Sequence, residues 1–182
     1  MAPMRWLRHR TDPFVEDFTH WLYRGAHGVD AFIWLFVGLL VSVLWGGCVS
    51  AAIDMLDLRR LEFHPEVALL VLTPFAFKSV FSMALFEEFL FRTPLGLAAR
   101  HIGSRELLKL TTFVSFAFGA AHSIGTTETL TAAAFVQGGL GVIYAFVFLK
   151  MGGMEGRLAR GLAASTFVHF TYNVIVGSCM YR

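Results

Sequence analysis

Residues 82–94, SMALFEEFLFRTP, set three formal charges, Glu87, Glu88 and Arg92, into a run that is otherwise mostly Leu, Phe, Met and Ala. An unpaired charge at the centre of an apolar helix costs about 2.5 to 3.5 kcal/mol on insertion scales, so something must offset each of them. In a helix Glu88 and Arg92 stand four residues apart on one face, where each can neutralise the other. Glu87 points about 100° away around the axis and is left without a local partner. A carboxylate left over in such a run is a candidate for chemistry.

The rest of the composition says what surrounds that run. Of 182 residues, 56% are hydrophobic and 15% charged, whereas a soluble domain carries about a quarter charged residues. Nineteen Phe and seventeen Gly agree with this, because Gly is tolerated in membrane helices and lets them approach closely. Cys48 and Cys179 both lie in apolar runs, which predicts buried thiols and neither a disulfide framework nor a Cys-based metal site. A net charge of +2 with no basic stripe excludes a nucleic-acid partner.

Residues 12–24, DPFVEDFTHWLYR, place Phe14, Phe18, Trp21 and Leu22 at helical spacing among charged neighbours, the pattern of a short helix lying in the membrane interface. Residues 31–53 carry no charge and are bracketed by Asp30 and Asp54; at about 1.5 Å per residue they cross a hydrocarbon core of roughly 30 Å. Residues 66–100 are too long for one straight crossing. Thr73-Pro74 reads as an N-cap followed by proline at the first helical position, which predicts a lead-in at 66–72 and a helix over about 74–99, bent near Pro94. Further spans are expected at about 107–123, at 130–149 with Gly138, Gly139 and Gly141 suited to close contact, and at 162–181.

The expectation is therefore an all-α polytopic membrane bundle of about five transmembrane helices with an N-terminal interfacial helix. Residues 1–30 form the cytoplasmic interfacial segment and 31–182 the transmembrane domain. With the N-terminus inside, ten Lys and Arg fall on the inner side and only Arg59, Arg60 and Arg182 on the outer, a positive-inside bias that puts the N-terminus in the cytoplasm and the C-terminus outside.

Glu87 and Glu88 are the acidic residues in the interior of a span, and His122 and His169 the histidines. Glu87 lies thirteen residues from Arg100, His122 thirteen from Lys109 and Asn173 thirteen from Arg160. At about 1.5 Å per residue each sits roughly 20 Å below the inner charges, with His169 a turn shallower. Three helices thus carry polar groups to one level. His169 and Asn173 share a helix face, as do Phe118 and His122. Taken singly, either histidine serves equally well as an interhelical hydrogen-bond donor. Several costly groups at one depth are usually retained for function. Gln137 and Tyr144 read as helix-packing polar groups, and Lys78 as a snorkelling charge.

Glu87-Glu88-x-x-x-Arg92, Phe118-x-x-x-His122 and His169-x-x-x-Asn173, in this order on successive apolar helices, resemble the three-motif signature of the CAAX protease and bacteriocin-processing family of intramembrane endopeptidases, which includes the type II CAAX prenyl endopeptidases. The resemblance covers about residues 74–181. It implies a protease of the bacterial or archaeal plasma membrane acting on a small membrane-anchored protein or peptide, with the lipid bilayer as its other partner. By the same resemblance Glu87 is the general base that activates a water, His122 assists it, and His169 and Asn173 hold the water or stabilise the oxyanion. Glu88, Arg92 and Phe118 support them. A base gains from the raised pKa that desolvation gives a carboxylate, and an amide is a suitable oxyanion donor.

No cofactor is expected on this reading. A zinc protease is the rival within the enzyme class, with Glu87, His122 and His169 as ligands and a water in the fourth place, although no HExxH is present. From another class comes a non-catalytic membrane protein, such as a bacteriocin-immunity factor or a partner-binding subunit.

Overall fold

In a computed structural model that describes residues 13–55, 61–63, 73–124, 130–176 and 179–181, the charge-free run after Asp30 becomes the longest helix. Helix α1 spans Pro13–Tyr23, α2 Val29–Met55, α3 Pro74–Ala98, α4 Ser104–His122, α5 Leu130–Phe148 and α6 Leu158–Val176. A π-helical turn, Leu149–Gly153, joins α5 to α6. The described residues are all-helical or in turns apart from one three-residue pair, β1 Leu61–Phe63 against β2 Cys179–Tyr181, antiparallel with Glu62 opposite Met180. That pair brings the segment after α2 and the segment after α6 to the same end of the bundle.

Among the described residues two helices, over Val29–Val49 and Leu130–Gly153, are long and apolar enough to cross a membrane. The outward face of α2 carries Phe32, Ile33, Phe36, Leu40, Leu44 and Trp45, all exposed, and an apolar patch of this extent on a protein surface marks contact with lipid or a partner. In α3 the charges Lys78, Glu87, Glu88 and Arg92 interrupt the apolar run, yet Met83, Phe86, Phe89 and Leu90 still face outward.

Helix α5 is central. Ala133, Val136, Leu140, Tyr144, Ala145 and Phe148 are buried along it, and it packs on α4, α2 and α6, while α3 leans chiefly on α6. The expected close contact at the glycines holds: a Cβ on Gly119 of α4 would lie 2.7 Å from the Gly138 backbone nitrogen and 2.8 Å from the Ala133 carbonyl oxygen. Gly141 meets Ser115 and Phe118 of α4 in the same seam, whereas Gly139 faces Trp45 of α2. Helix α1 docks through Leu22, 2% exposed, and the following turn through Ala26, 1% exposed.

Thr73 caps α3 as expected: its hydroxyl accepts from the Ala76 amide at 3.4 Å, and Pro74 opens the helix. The fifth span differs from expectation. It begins at Leu158 and ends at Val176, and residues 179–181 form β2 because they pair with residues 61–63, a partner distant in sequence. Cys48 also differs: its thiol is free and exposed, because the apolar run around it faces outward as well as into the bundle. The lead-in at 66–72 lies outside the described residues.

Candidate active site

The three motifs sit on α3, α4 and α6. On α3 the one-residue offset between neighbouring glutamates separates their fates, as the angle of about 100° per residue requires. Glu88 turns into the core and is 0% exposed, as is Arg92. The Arg92 Nε donates to Glu88 Oε2 at 3.1 Å, the expected i, i+4 pair. On its other oxygen Glu88 accepts from His169 Nδ1 at 3.1 Å; the nearby Ser165 hydroxyl donates to the Leu162 carbonyl oxygen. The buried anion is thus held by a cation on its own helix and by His169 of α6.

Glu87 turns the other way, and its side chain is 20% exposed. Its Oε2 lies 3.7 Å from His122 Nε2 and 3.6 Å from His169 Nε2. Both ring orientations are fixed from behind. His122 Nδ1 lies 2.9 Å from the Phe118 carbonyl oxygen one turn earlier; a carbonyl only accepts, so Nδ1 carries the hydrogen. The ionised Glu88 imposes the same tautomer on His169. In each neutral ring Nε2 then carries no hydrogen, and both Nε2 atoms lie within 3.7 Å of one carboxylate oxygen.

Phe118 forms the floor of the site. It is fully buried, with ring centroids 4.5 Å from His122, 5.8 Å from His169 and 5.3 Å from Phe91. The Arg92 guanidinium carbon lies 5.3 Å from its centroid, a cation–π contact that places a cation against an aromatic face where solvent is absent. One side chain thereby touches both histidines and the buried ion pair.

Asn173 lies one turn beyond His169 on α6 and is half-buried. The structure places it on the expected face but gives it no hydrogen bond to Glu87 or either histidine. Tyr144, read from sequence as a packing group, proves to be a neighbour of the site: its ring stacks on His169 with centroids 4.6 Å apart and planes at 20°. Ser165 is likewise new. Four residues before His169 it shares that helix face, a signal that spacing could have supplied; nothing local marked Tyr144.

A family model described as Type II CAAX prenyl endopeptidase Rce1-like matches residues 66–175. No curated protein and no solved structure matches the chain. The matched stretch holds α3, α4, α5 and nearly all of α6, and with them every motif residue named from the sequence. As the match takes in more than half of the 182 residues, the chain belongs to the type II CAAX prenyl endopeptidase Rce1-like family of membrane-embedded proteases.

Proposed function

We propose that the protein is an intramembrane endopeptidase that hydrolyses a peptide bond of a membrane-anchored protein or peptide, using a water activated by Glu87. The observation that carries this reading is the convergence of three electron-rich atoms, Glu87 Oε2, His122 Nε2 and His169 Nε2, at separations of 3.6 and 3.7 Å. None of the three has a hydrogen to give the others when the rings are neutral. A water has two. It donates one to Glu87 and the other to a histidine, which leaves its oxygen lone pair directed at an incoming carbonyl. Glu87 takes a proton as the oxygen attacks the carbonyl carbon, the Asn173 amide donates to the oxyanion, and the proton passes to the departing amine as the C–N bond breaks. Water enters past Glu87 and His122, whose side chains are 20% and 28% exposed, against 4% for His169.

Zinc would need Glu87, His122 and His169 as ligands. Among the described residues no three His, Cys, Asp or Glu side chains are grouped so as to hold a metal ion.

In the membrane, five crossings with a cytoplasmic N-terminus fit the ten-to-three distribution of basic residues. The β1–β2 pair supports this count, because it requires an even number of crossings between residues 63 and 179.

The test is cleavage of membrane-tethered peptides, prenylated and unprenylated, by the purified chain. Activity is expected to persist in strong chelator and to vanish in Glu87→Gln while the fold is retained. One equivalent of tightly held zinc, with activity lost on chelation and restored by zinc, would overturn the metal-free mechanism. Biological function unchanged by Glu87→Gln would assign the chain a non-catalytic role.

A further inference from the structure

Lys150 stands in the π-helical turn that follows α5 and is 5% exposed. Its ammonium donates to the Trp21 carbonyl oxygen and lies 4.2 Å from the Trp21 ring centroid and 6.0 Å from that of Trp34. Asp30 and Glu155 act on it electrostatically, but among the described residues no carboxylate lies within ion-pair distance of it. Below this cation a crevice of about 180 Å³ opens between α1, α2 and α5, walled by Phe18, Trp21, Trp34, Val41 and Phe146 and apolar except at Lys150. The two tryptophans in its wall meet edge to face, with centroids 4.8 Å apart.

We propose that this crevice binds one anionic phospholipid, with the acyl chain between α1, α2 and α5 and the phosphate on the Lys150 ammonium. Lys150 lies three residues from the end of the candidate span Leu130–Gly153, so it sits at the level where lipid phosphates lie. Tryptophans are at home at that same level. A buried cation with no carboxylate in direct contact leaves room for an anion, and basic pockets between membrane helices take anionic head groups. The apolar walls call for a chain, which excludes a soluble anion. A zwitterionic lipid would bring a second cation to a site that already holds one. This inference is independent of the proteolytic mechanism.

The test uses the full chain in detergent, with thermal unfolding followed in phosphatidylglycerol, in phosphatidylcholine of the same acyl composition, and in glycerol phosphate alone. Phosphatidylglycerol is expected to raise the melting temperature by about 2–4 °C, the size expected of a ligand contributing roughly 1 kcal/mol to a chain of this length. Phosphatidylcholine and glycerol phosphate should not. Lys150→Met should abolish the shift, but it also removes the bond to Trp21. Val41→Trp therefore serves as the second variant: it fills the crevice, leaves Lys150 in place, and should also abolish the shift. Equal stabilisation by the two lipids, or a full shift retained in Val41→Trp, would overturn the proposal.

Discussion

Glu88 Oε1 and His169 Nδ1 lie 3.1 Å apart, both buried, and this bond ties α3 to α6 directly behind the Glu87 carboxylate. It makes Glu88 serve two ends: it neutralises Arg92 in a place without water, and it fixes which nitrogen of His169 faces Glu87.

Substitution should separate these two glutamates. Glu88→Gln and Arg92→Gln each strand a buried charge, and breaking such a pair costs about 3 to 5 kcal/mol, so both variants should lose thermal stability or fail to accumulate. Glu87→Gln leaves no charge stranded and should melt near the wild-type temperature in detergent. Equal losses in all three variants would show that Glu87 is part of the structural network.

How much of this was legible in the sequence depends on whether the contact was local. The Glu88–Arg92 pair and the lack of a partner for Glu87 on its own helix follow from helical spacing alone, and the motif spacing singled out His122 and His169, whose rings meet Glu87. The ends of α6 were not legible, because the strand pairing that terminates it joins residues 61–63 to residues 179–181. The stacking of Tyr144 on His169 was hidden for a similar reason: it is set by the rotation of α5 about its axis, which the Gly119–Gly138 and Gly141–Phe118 contacts fix. Cys48 was misplaced because burial in lipid and burial in protein leave the same apolar pattern.

Tyr144 should tolerate loss of its hydroxyl but not of its ring. The hydroxyl is buried without a hydrogen-bond partner among the described residues, and removing an unsatisfied buried polar group is neutral or stabilising. Tyr144→Phe is therefore expected to melt at or above the wild-type temperature and to keep its activity. Tyr144→Ala removes the stack on His169 and leaves a cavity, at a cost of about 3–5 kcal/mol by analogy with other aromatic truncations. A marked loss of stability in Tyr144→Phe would show that the hydroxyl is bonded.

Gly119 lies three residues before His122, and the atoms nearest its absent Cβ are backbone atoms of α5, which cannot swing aside. Gly119→Ala should push α4 from α5, costing about 1–3 kcal/mol as overpacking does, and should lower activity by displacing His122 from Glu87. Gly47→Ala is the control. Nothing lies within 4 Å of that position, and alanine is the better helix former by about 0.5–1 kcal/mol, so this variant should be unchanged or slightly stabilised. Comparable behaviour of the two variants in thermal unfolding and cleavage would remove the α4–α5 seam as a determinant of the site.

The β1–β2 pair makes the topology testable without a substrate. Glu62 and Met180 are directly opposite in an antiparallel register, where Cα atoms stand about 4.5–5.5 Å apart, inside the range of about 4.4–6.8 Å that a disulfide spans. Glu62→Cys with Met180→Cys, in a background carrying Cys48→Ser and Cys179→Ser, should therefore cross-link in intact membranes. If the N-terminus is cytoplasmic and five helices cross, the pair lies outside, so a membrane-impermeant oxidant should form the bond and an impermeant reductant should break it. Reporter fusions should put the two termini on opposite sides. Cross-linking only after the membrane is opened would reverse the orientation. No cross-link at all, with both termini reporting the same side, would mean a sixth crossing between residues 63 and 179.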